Sequence, residues 1–174
     1  MRFSRRFILP VFLSLFFFTA GCMGSSSRDS NAQAGRLEGN QMFVLKNLNG
    51  EEVSLDAMLR HNKLVLLNFW ATWCPPCREE IPDLIKLQET YQGRSFTVLG
   101  VDVGESAAKV SSFADKTGIN YPVVLDHNNR VAESYGVVGI PTSLLISSDG
   151  KILGVYYGFT GQLVQDVKKA VENA

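Results

Sequence analysis

Leu64 to Trp70 reads Leu-Val-Leu-Leu-Asn-Phe-Trp, an apolar run broken only at Asn68, and the spacing changes character directly afterwards. Ile81, Leu84 and Ile85 follow Cys77 by four, seven and eight residues. The first pattern predicts a central strand buried on both faces, and the second an amphipathic helix running to about Gln92 and stopped by Gly93. Pro82 lies inside that helix and removes one backbone hydrogen bond, at the carbonyl of Arg78, which predicts a kink.

Phe96 to Val103 repeats the near-continuous apolar pattern, and Tyr121 to Leu125 and Ser143 to Ile146 repeat it in shorter form. Between them, Ala107, Val110, Ala114 and Thr117 share a face of a predicted helix over Ser106 to Thr117 that Gly118 stops. Asn128-Asn129 introduces a short helix through Tyr135. Upstream, Met42 to Lys46 and Glu51 to Ser54 flank the turn signal Asn47-Leu48-Asn49-Gly50, which predicts a hairpin, and Leu55 to Arg60 predicts a short helix. Downstream, Lys151 to Tyr157 follows the turn Ser147-Ser148-Asp149-Gly150 at hairpin spacing. Thr160 then caps a last helix whose core face is Leu163, Val164, Val167, Ala170 and Val171. Strands alternating with helices predict an α/β fold with a parallel component and an antiparallel final pair.

The chain of 174 residues suits one globular domain plus appendages. Residues 1–21 form the first appendage, with Arg2, Arg5 and Arg6 ahead of an apolar stretch from Phe7 to Ala20, and look like a secretory signal. Thr19-Ala20-Gly21-Cys22 resembles the lipobox of bacterial lipoproteins, in which the cysteine is lipidated and becomes the mature N-terminus; ordinary cleavage with an unmodified Cys22 is the alternative. The rest of residues 22–36 is rich in Ser, Gly, Asn and Gln and reads as a flexible tether that would hold a domain of residues 37–174 about 20 Å from the anchor. Acyl chains contribute roughly 0.8 kcal/mol per buried methylene, enough for durable membrane attachment. The formal charge of zero hides the signal: without its three arginines, 14 basic residues face 17 acidic ones. No basic patch is left, so nucleic acid is not an expected partner.

The chemistry lies where strand meets helix, at Trp73-Cys74-Pro75-Pro76-Cys77. Cys74 falls at a helix N-terminus, where unpaired backbone N–H groups and the helix dipole favour a thiolate, so it is the expected nucleophile. Pro75 and Pro76 suit a first turn, since the N–H groups they lack would be unpaired there. Cys77 shares the apolar helix face, so an exposed attacker and a shielded resolver form a thiol-disulfide exchange site. A structural disulfide or half of a zinc site are the competing readings. Zinc needs two further ligands, and Cys22, His61 and His127 are the remaining Cys and His, none in a paired spacing. No metal or other cofactor is expected. Glu80, three residues past Cys77, is either a proton acceptor and donor for the cysteine pair or a solvated surface acid, as Glu79 is read.

Three signals coincide: Trp-Cys-Pro-Pro-Cys after a buried strand, Gly139-Ile140-Pro141-Thr142 before a later strand, and a terminal hairpin and helix. Together they resemble the thioredoxin superfamily. Within it, Phe43 to Phe159 resembles the ResA/TlpA-like thiol-disulfide oxidoreductases, membrane-tethered proteins of the bacterial cell envelope. The shared motifs are Trp-Cys-x-x-Cys-x-x-Glu at Trp73 to Glu80, Val-Asp-Val-Gly-Glu-Ser at Val101 to Ser106, and Tyr-Pro-Val-Val-Leu-Asp at Tyr121 to Asp126. The resemblance implies a thioredoxin-like mixed sheet flanked by helices, with an N-terminal hairpin and a strand-helix insertion over about Ser106 to Asn128.

The resemblance also implies roles. Pro141 would be a cis-proline opposite the cysteines, placing the Ile140 backbone to pair with an extended, cysteine-containing substrate. Trp73, Pro75 and Pro76 would border the same substrate surface, and Glu80 would be a functional acid. Thioredoxin itself has a buried aspartate where Asn68 stands; an amide takes no proton, and Asn68 is read as a hydrogen-bonded core residue. The implied activity is reduction of disulfides in envelope proteins such as an apocytochrome c, on the extracytoplasmic side of a membrane, in the periplasm or at the outer face of the cell membrane. The implied electron donor is a membrane transporter of the CcdA or DsbD type. ResA-like members commonly carry Glu where Pro75 stands, whereas Pro-Pro is frequent among TlpA-like proteins. A thiol-dependent peroxidase and a Cu(I)-binding chaperone using His127 are the alternatives; the chain has no Pro-x-x-x-Thr-x-x-Cys site, and such chaperones space their cysteines more widely.

Overall fold

The computed structural model describes residues 35–37 and 39–174. The proposed signal, Cys22 and most of the tether lie outside the described residues. Twelve elements follow in order: β1 Val44–Asn47, β2 Glu52–Ser54, α1 Leu55–His61, β3 Leu64–Trp70, α2 Pro75–Tyr91, β4 Phe96–Val103, α3 Ala107–Thr117, β5 Val123–Asp126, α4 Arg130–Ser134, β6 Thr142–Ser147, β7 Ile152–Tyr157 and α5 Gly161–Glu172. The strands form one sheet in the order β2-β1-β5-β4-β3-β6-β7. β3, β4 and β5 are parallel, while β1, β6 and β7 join antiparallel. This is the thioredoxin-like α/β architecture that the pattern and the resemblance imply.

β3 occupies the centre and all seven of its residues are buried. Its side chains alternate between two apolar cores. Leu64, Leu66 and Trp70 pack with Ile81, Leu84 and Leu87 of α2, Val110 of α3 and Leu163 and Val167 of α5. Val65, Leu67 and Phe69 pack on the other face with Leu55 and Leu59 of α1 and Val131 and Ala132 of α4. Each fully buried side chain of this size contributes roughly 1.5–3 kcal/mol, so two-sided burial anchors β3 firmly in the sheet. The cysteine motif is attached directly to its C-terminal end.

Several boundaries depart from the sequence expectation for identifiable reasons. α2 runs through Pro82 as one helix, ends at Tyr91 and continues as a short 3-10 turn over Gln92–Arg94, so Gly93 sits inside the turn. The chain reverses at Ser95, whose φ of 58° is left-handed. Thr160 holds the N-cap position of α5 but its hydroxyl makes no capping bond. Gly118 ends α3 as expected, with φ 72° and its N–H bonded to the Ala114 carbonyl. Gly35 and Leu37 are already tied to the β6–β7 hairpin, Ile152 N–H donating to the Gly35 carbonyl at 2.8 Å and Leu37 N–H to the Gly150 carbonyl at 2.9 Å. Among the described residues no helix is long and apolar enough to cross a membrane.

Candidate active site

Cys74 is the N-cap residue of α2 and Pro75 and Pro76 are its first two helical residues. Cys74 and Cys77 form a disulfide. The Cys77 N–H points at Cys74 Sγ from 3.3 Å, and the Arg78 N–H donates to the Cys74 carbonyl at 3.1 Å to start the helical ladder. A helix N-terminus that aims an N–H at sulfur stabilises negative charge there, so the geometry suits a Cys74 thiolate once the bond is reduced.

The expectation of an exposed Cys74 is corrected. It is 2 % exposed and Cys77 is 1 % exposed. Cys74 is covered because its sulfur is bonded to Cys77, lies 3.7 Å from the Ile140 carbonyl oxygen and packs into the core beside Trp70 and Ala71. Its neighbours, by contrast, are exposed. Trp73 is 62 % exposed, Pro75 and Pro76 are exposed, and Val138 stands clear of the surface just ahead of Ile140. The Ile140–Pro141 peptide is cis, and Pro141 is buried while its carbonyl accepts from the Gly158 N–H at 2.8 Å. Five sequence-selected residues, Trp73, Cys74, Pro75, Pro76 and Ile140, are therefore joined at one edge through the Cys74–Ile140 approach. A groove of about 390 Å³ flanks the first turn of α2, lined by Pro75, Arg78, Glu79, Phe113 and Thr117. The Arg78 guanidinium sits 6.0 Å from the centre of the Phe113 ring, which fixes that wall by a cation–π contact.

Glu80 is not a surface acid. It is 1 % exposed, one turn behind Cys77 on the same helix, whereas Glu79 is exposed. Asn68 Nδ2 donates to Glu80 Oε2 at 3.0 Å and to Ser143 Oγ at 2.8 Å, so the amide of β3 connects α2 to β6 and positions the carboxyl. Glu80 Oε1 has no hydrogen-bond partner. Burial pushes the Glu80 pKa up to about 7, against the Asn68 hydrogen bond, which favours the charged form, and with the help of the nearby Asp83 charge. Near neutral pH such a group is divided between acid and base, as a proton shuttle for a buried thiol requires.

A second acid pair stands behind the loop and was not singled out by its spacing. Glu105 Oε2 accepts from the Thr72 N–H at 2.6 Å and Glu105 Oε1 from the Thr72 hydroxyl at 2.8 Å. Asp102, fully buried, accepts from the Glu105 N–H at 3.2 Å. Burial raises the Asp102 pKa to about 8, followed by its hydrogen bond and charge repulsion with Glu105. Burial also opposes ionisation of Glu105, but the Lys109 ammonium at 2.5 Å and the two Thr72 donors outweigh it and hold Glu105 below its ordinary value. Thr72 and Glu105 are 33 positions apart on separate loops, so no local pattern pairs them.

His127 is exposed and its Nδ1 lies 2.8 Å from the Glu105 carbonyl oxygen. Among the described residues no group of three His, Cys, Asp or Glu side chains is placed to hold a metal ion.

Comparison with known proteins agrees with this geometry. The model of the AhpC/TSA family matches residues 39–155. The chain is similar to the thiol-disulfide oxidoreductase ResA of Halalkalibacterium halodurans, at 35 % identity over 144 residues that cover 82 % of this chain and 80 % of the relative. ResA of Bacillus subtilis matches at 35 % identity over 131 residues, 75 % of this chain and 72 % of the relative. Among solved structures, a thiol:disulfide interchange protein of the thioredoxin family from Chlorobium tepidum superposes with a TM-score of 0.68 at 32 % identity, covering 82 % of this chain and 99 % of that one.

Proposed function

The chain belongs to the AhpC/TSA family and within it to the ResA-like thiol-disulfide oxidoreductases, and from that premise we propose that it reduces disulfides in proteins outside the cytoplasm. The observation that carries the proposal is Glu80, a buried carboxyl one turn behind the resolving cysteine whose pKa burial raises to about 7. Starting from the dithiol, the Cys74 thiolate attacks a substrate disulfide; one substrate sulfur joins Cys74 and the other leaves as a thiolate that takes a proton from water. Cys77 gives its proton to the Glu80 carboxylate, and its thiolate attacks Cys74 Sγ. The mixed disulfide breaks, the substrate leaves reduced by two electrons, and the Cys74–Cys77 disulfide of the structure is the product. Glu80 then returns its proton to solvent or to the departing substrate thiolate.

Trp73, Pro75, Pro76, Ile140 and Pro141 are proposed to receive an extended chain segment beside Cys74, the Ile140 backbone pairing with it. An apocytochrome c with paired haem-binding cysteines fits such a site, and a membrane dithiol donor of the CcdA or DsbD type would restore the reduced form. The N-terminal residues support an extracytoplasmic setting: 1–21 as signal, Cys22 as lipid anchor to a membrane and 22–36 as tether, with 37–174 as the working domain. A peroxidase reading is not favoured, since Cys74 sits in a Cys-x-x-Cys disulfide pair and the chain has no Pro-x-x-x-Thr-x-x-Cys pattern.

A direct assay checks the reading. Reduced protein, freed of its reductant, should reduce an equimolar Cys-x-x-Cys-His peptide disulfide, and limited alkylation should label Cys74 before Cys77. Retention of the peptide disulfide together with rapid loss of hydrogen peroxide would replace the reductase reading by the peroxidase one.

A further inference from the structure

We propose that Glu105 is a positioning residue for the nucleophile: its carboxylate clamps the Ala71–Cys74 loop through Thr72, and Asp102 secures the clamp by a proton held between the two acids. The inference rests on Cys74 being the attacking sulfur.

The contacts form an unbroken line from β4 to the sulfur. Glu105 follows β4 in the Gly104–Ser106 connection and takes both donors of Thr72, one on each carboxylate oxygen. Thr72 is the middle residue of a tight loop in which the Cys74 N–H returns to the Ala71 carbonyl at 3.2 Å. That turn decides where Cys74 Sγ lies relative to the Cys77 N–H, 3.3 Å away, and to the Ile140 carbonyl, 3.7 Å away. A side chain fixed through backbone and hydroxyl at once cannot rotate the loop without breaking two charge-assisted hydrogen bonds. Ala71 is fully buried and Thr72 nearly so, and the loop continues directly from the buried strand β3.

Asp102 explains how Glu105 keeps its own place. Oδ1 of Asp102 accepts the Glu105 N–H, while Oδ2 is buried and has no partner if the group is a carboxylate. With a proton on Oδ2 the same atom becomes a donor to the Glu105 carboxylate, which satisfies it; this agrees with the raised pKa of Asp102, about 8, and the lowered one of Glu105. Three other ionisable groups are packed here. Lys109 of α3 pairs with Glu105 Oε1 at 2.5 Å. His127 after β5 meets the Glu105 backbone carbonyl. Asp126 at the end of β5 turns one oxygen to α4, where Oδ2 accepts the Ala132 N–H at 2.9 Å, while its Oδ1 is buried without a hydrogen-bond partner.

The test uses the full chain, reduced, and follows iodoacetamide labelling of each cysteine against pH in wild type, E105A, T72V and D102N. Removing a negative charge near Cys74 would by itself lower the midpoint of its profile, whereas loosening the loop raises it. The clamp therefore predicts an upward shift in E105A of about one pH unit, which leaves about tenfold less Cys74 thiolate at pH 7. T72V, which keeps the charge and loses one bond, shifts the same way by less. In D102N an amide N–H takes the place of the protonated oxygen, and the profile stays within about 0.3 unit of wild type. An unchanged or lowered midpoint in E105A overturns the clamp, and so does D102N shifting as far as E105A. Should E105A fail to fold, T72V decides alone: an upward shift supports the clamp and an unmoved one overturns it. Wild type labelled first at Cys77 would contradict the choice of nucleophile instead, and the clamp would still be judged on the variants relative to wild type.

Discussion

Replacing Cys77 by alanine leaves the protein attached to its substrates. The Cys74 thiolate still attacks, but the sulfur that would release the mixed disulfide is gone, and release falls to whatever thiol is present in solution. A group held one helical turn away acts at an effective concentration far above the ~1 mM of an ordinary external thiol, so turnover drops by at least about a thousandfold. The attached partners, recovered under non-reducing conditions and identified by mass spectrometry, are the substrates. C74A should capture nothing, because Cys74 stands at the N-cap of α2 against the Ile140 carbonyl, where the substrate segment is proposed to lie, whereas Cys77 is inside the helix. Capture by C74A equal to that by C77A would reverse the two roles.

Changing Glu80 to glutamine should slow the step that C77A abolishes. The amide keeps the size and the contact with Asn68 but cannot take the Cys77 proton. General acid-base catalysis supplies about 10²–10⁴-fold, so resolution of a preformed mixed disulfide is expected to slow by about a hundredfold or more. The wild-type rate should rise with pH through an inflection near 7, where the carboxyl gains its charge, and E80Q should lose that inflection. Attack by Cys74 on the first disulfide is a separate step and should change much less. Equal slowing of both steps would make Glu80 a structural residue.

The same substitution has a signature in stability. Burial raises Glu80 from 4.5 to about 7, so over that interval the folded oxidised chain keeps a proton that the unfolded chain has released. The stabilisation is fully present below pH 4.5 and is lost as pH rises through 7, at roughly 1.4 kcal/mol per unit, or about 3 kcal/mol in all. Asp102, raised from 3.8 to about 8, adds a loss of the same sign that extends to higher pH. Urea midpoints of the oxidised protein should therefore be higher at pH 5 than at pH 8, with a smaller difference in E80Q.

Why some of this was legible in the sequence and some was not follows from the range of each interaction. β3 and α2 were readable because burial on two faces or on one stripe leaves a local period, and the cysteine pair because its spacing is four consecutive residues of one turn. The 3-10 turn over Gln92–Arg94 after α2 ends at Tyr91 was not, since Gly93 fits inside such a turn and the left-handed reversal falls on Ser95. Glu80 had two readings, surface or shuttle, and only the packing of α2 on the sheet separates them. Its partner Asn68 lies 12 positions earlier on a different element. The burial of Cys74 also depends on a distant segment, the loop before β6. The clamp from Glu105 to Thr72 joins two loops that are neighbours only because β3 and β4 are paired, and nothing within either loop signals the other.

Electron flow from Cys74 and Cys77 to the substrate is tested most directly by the reduction potential of that pair. Equilibration of the purified domain with dithiothreitol or glutathione buffers, followed by counting of free thiols, should give a value in the reducing range, near the −270 mV of thioredoxin. A value near −120 mV, that of DsbA, would make the protein an oxidant and overturn the proposed direction of electron flow.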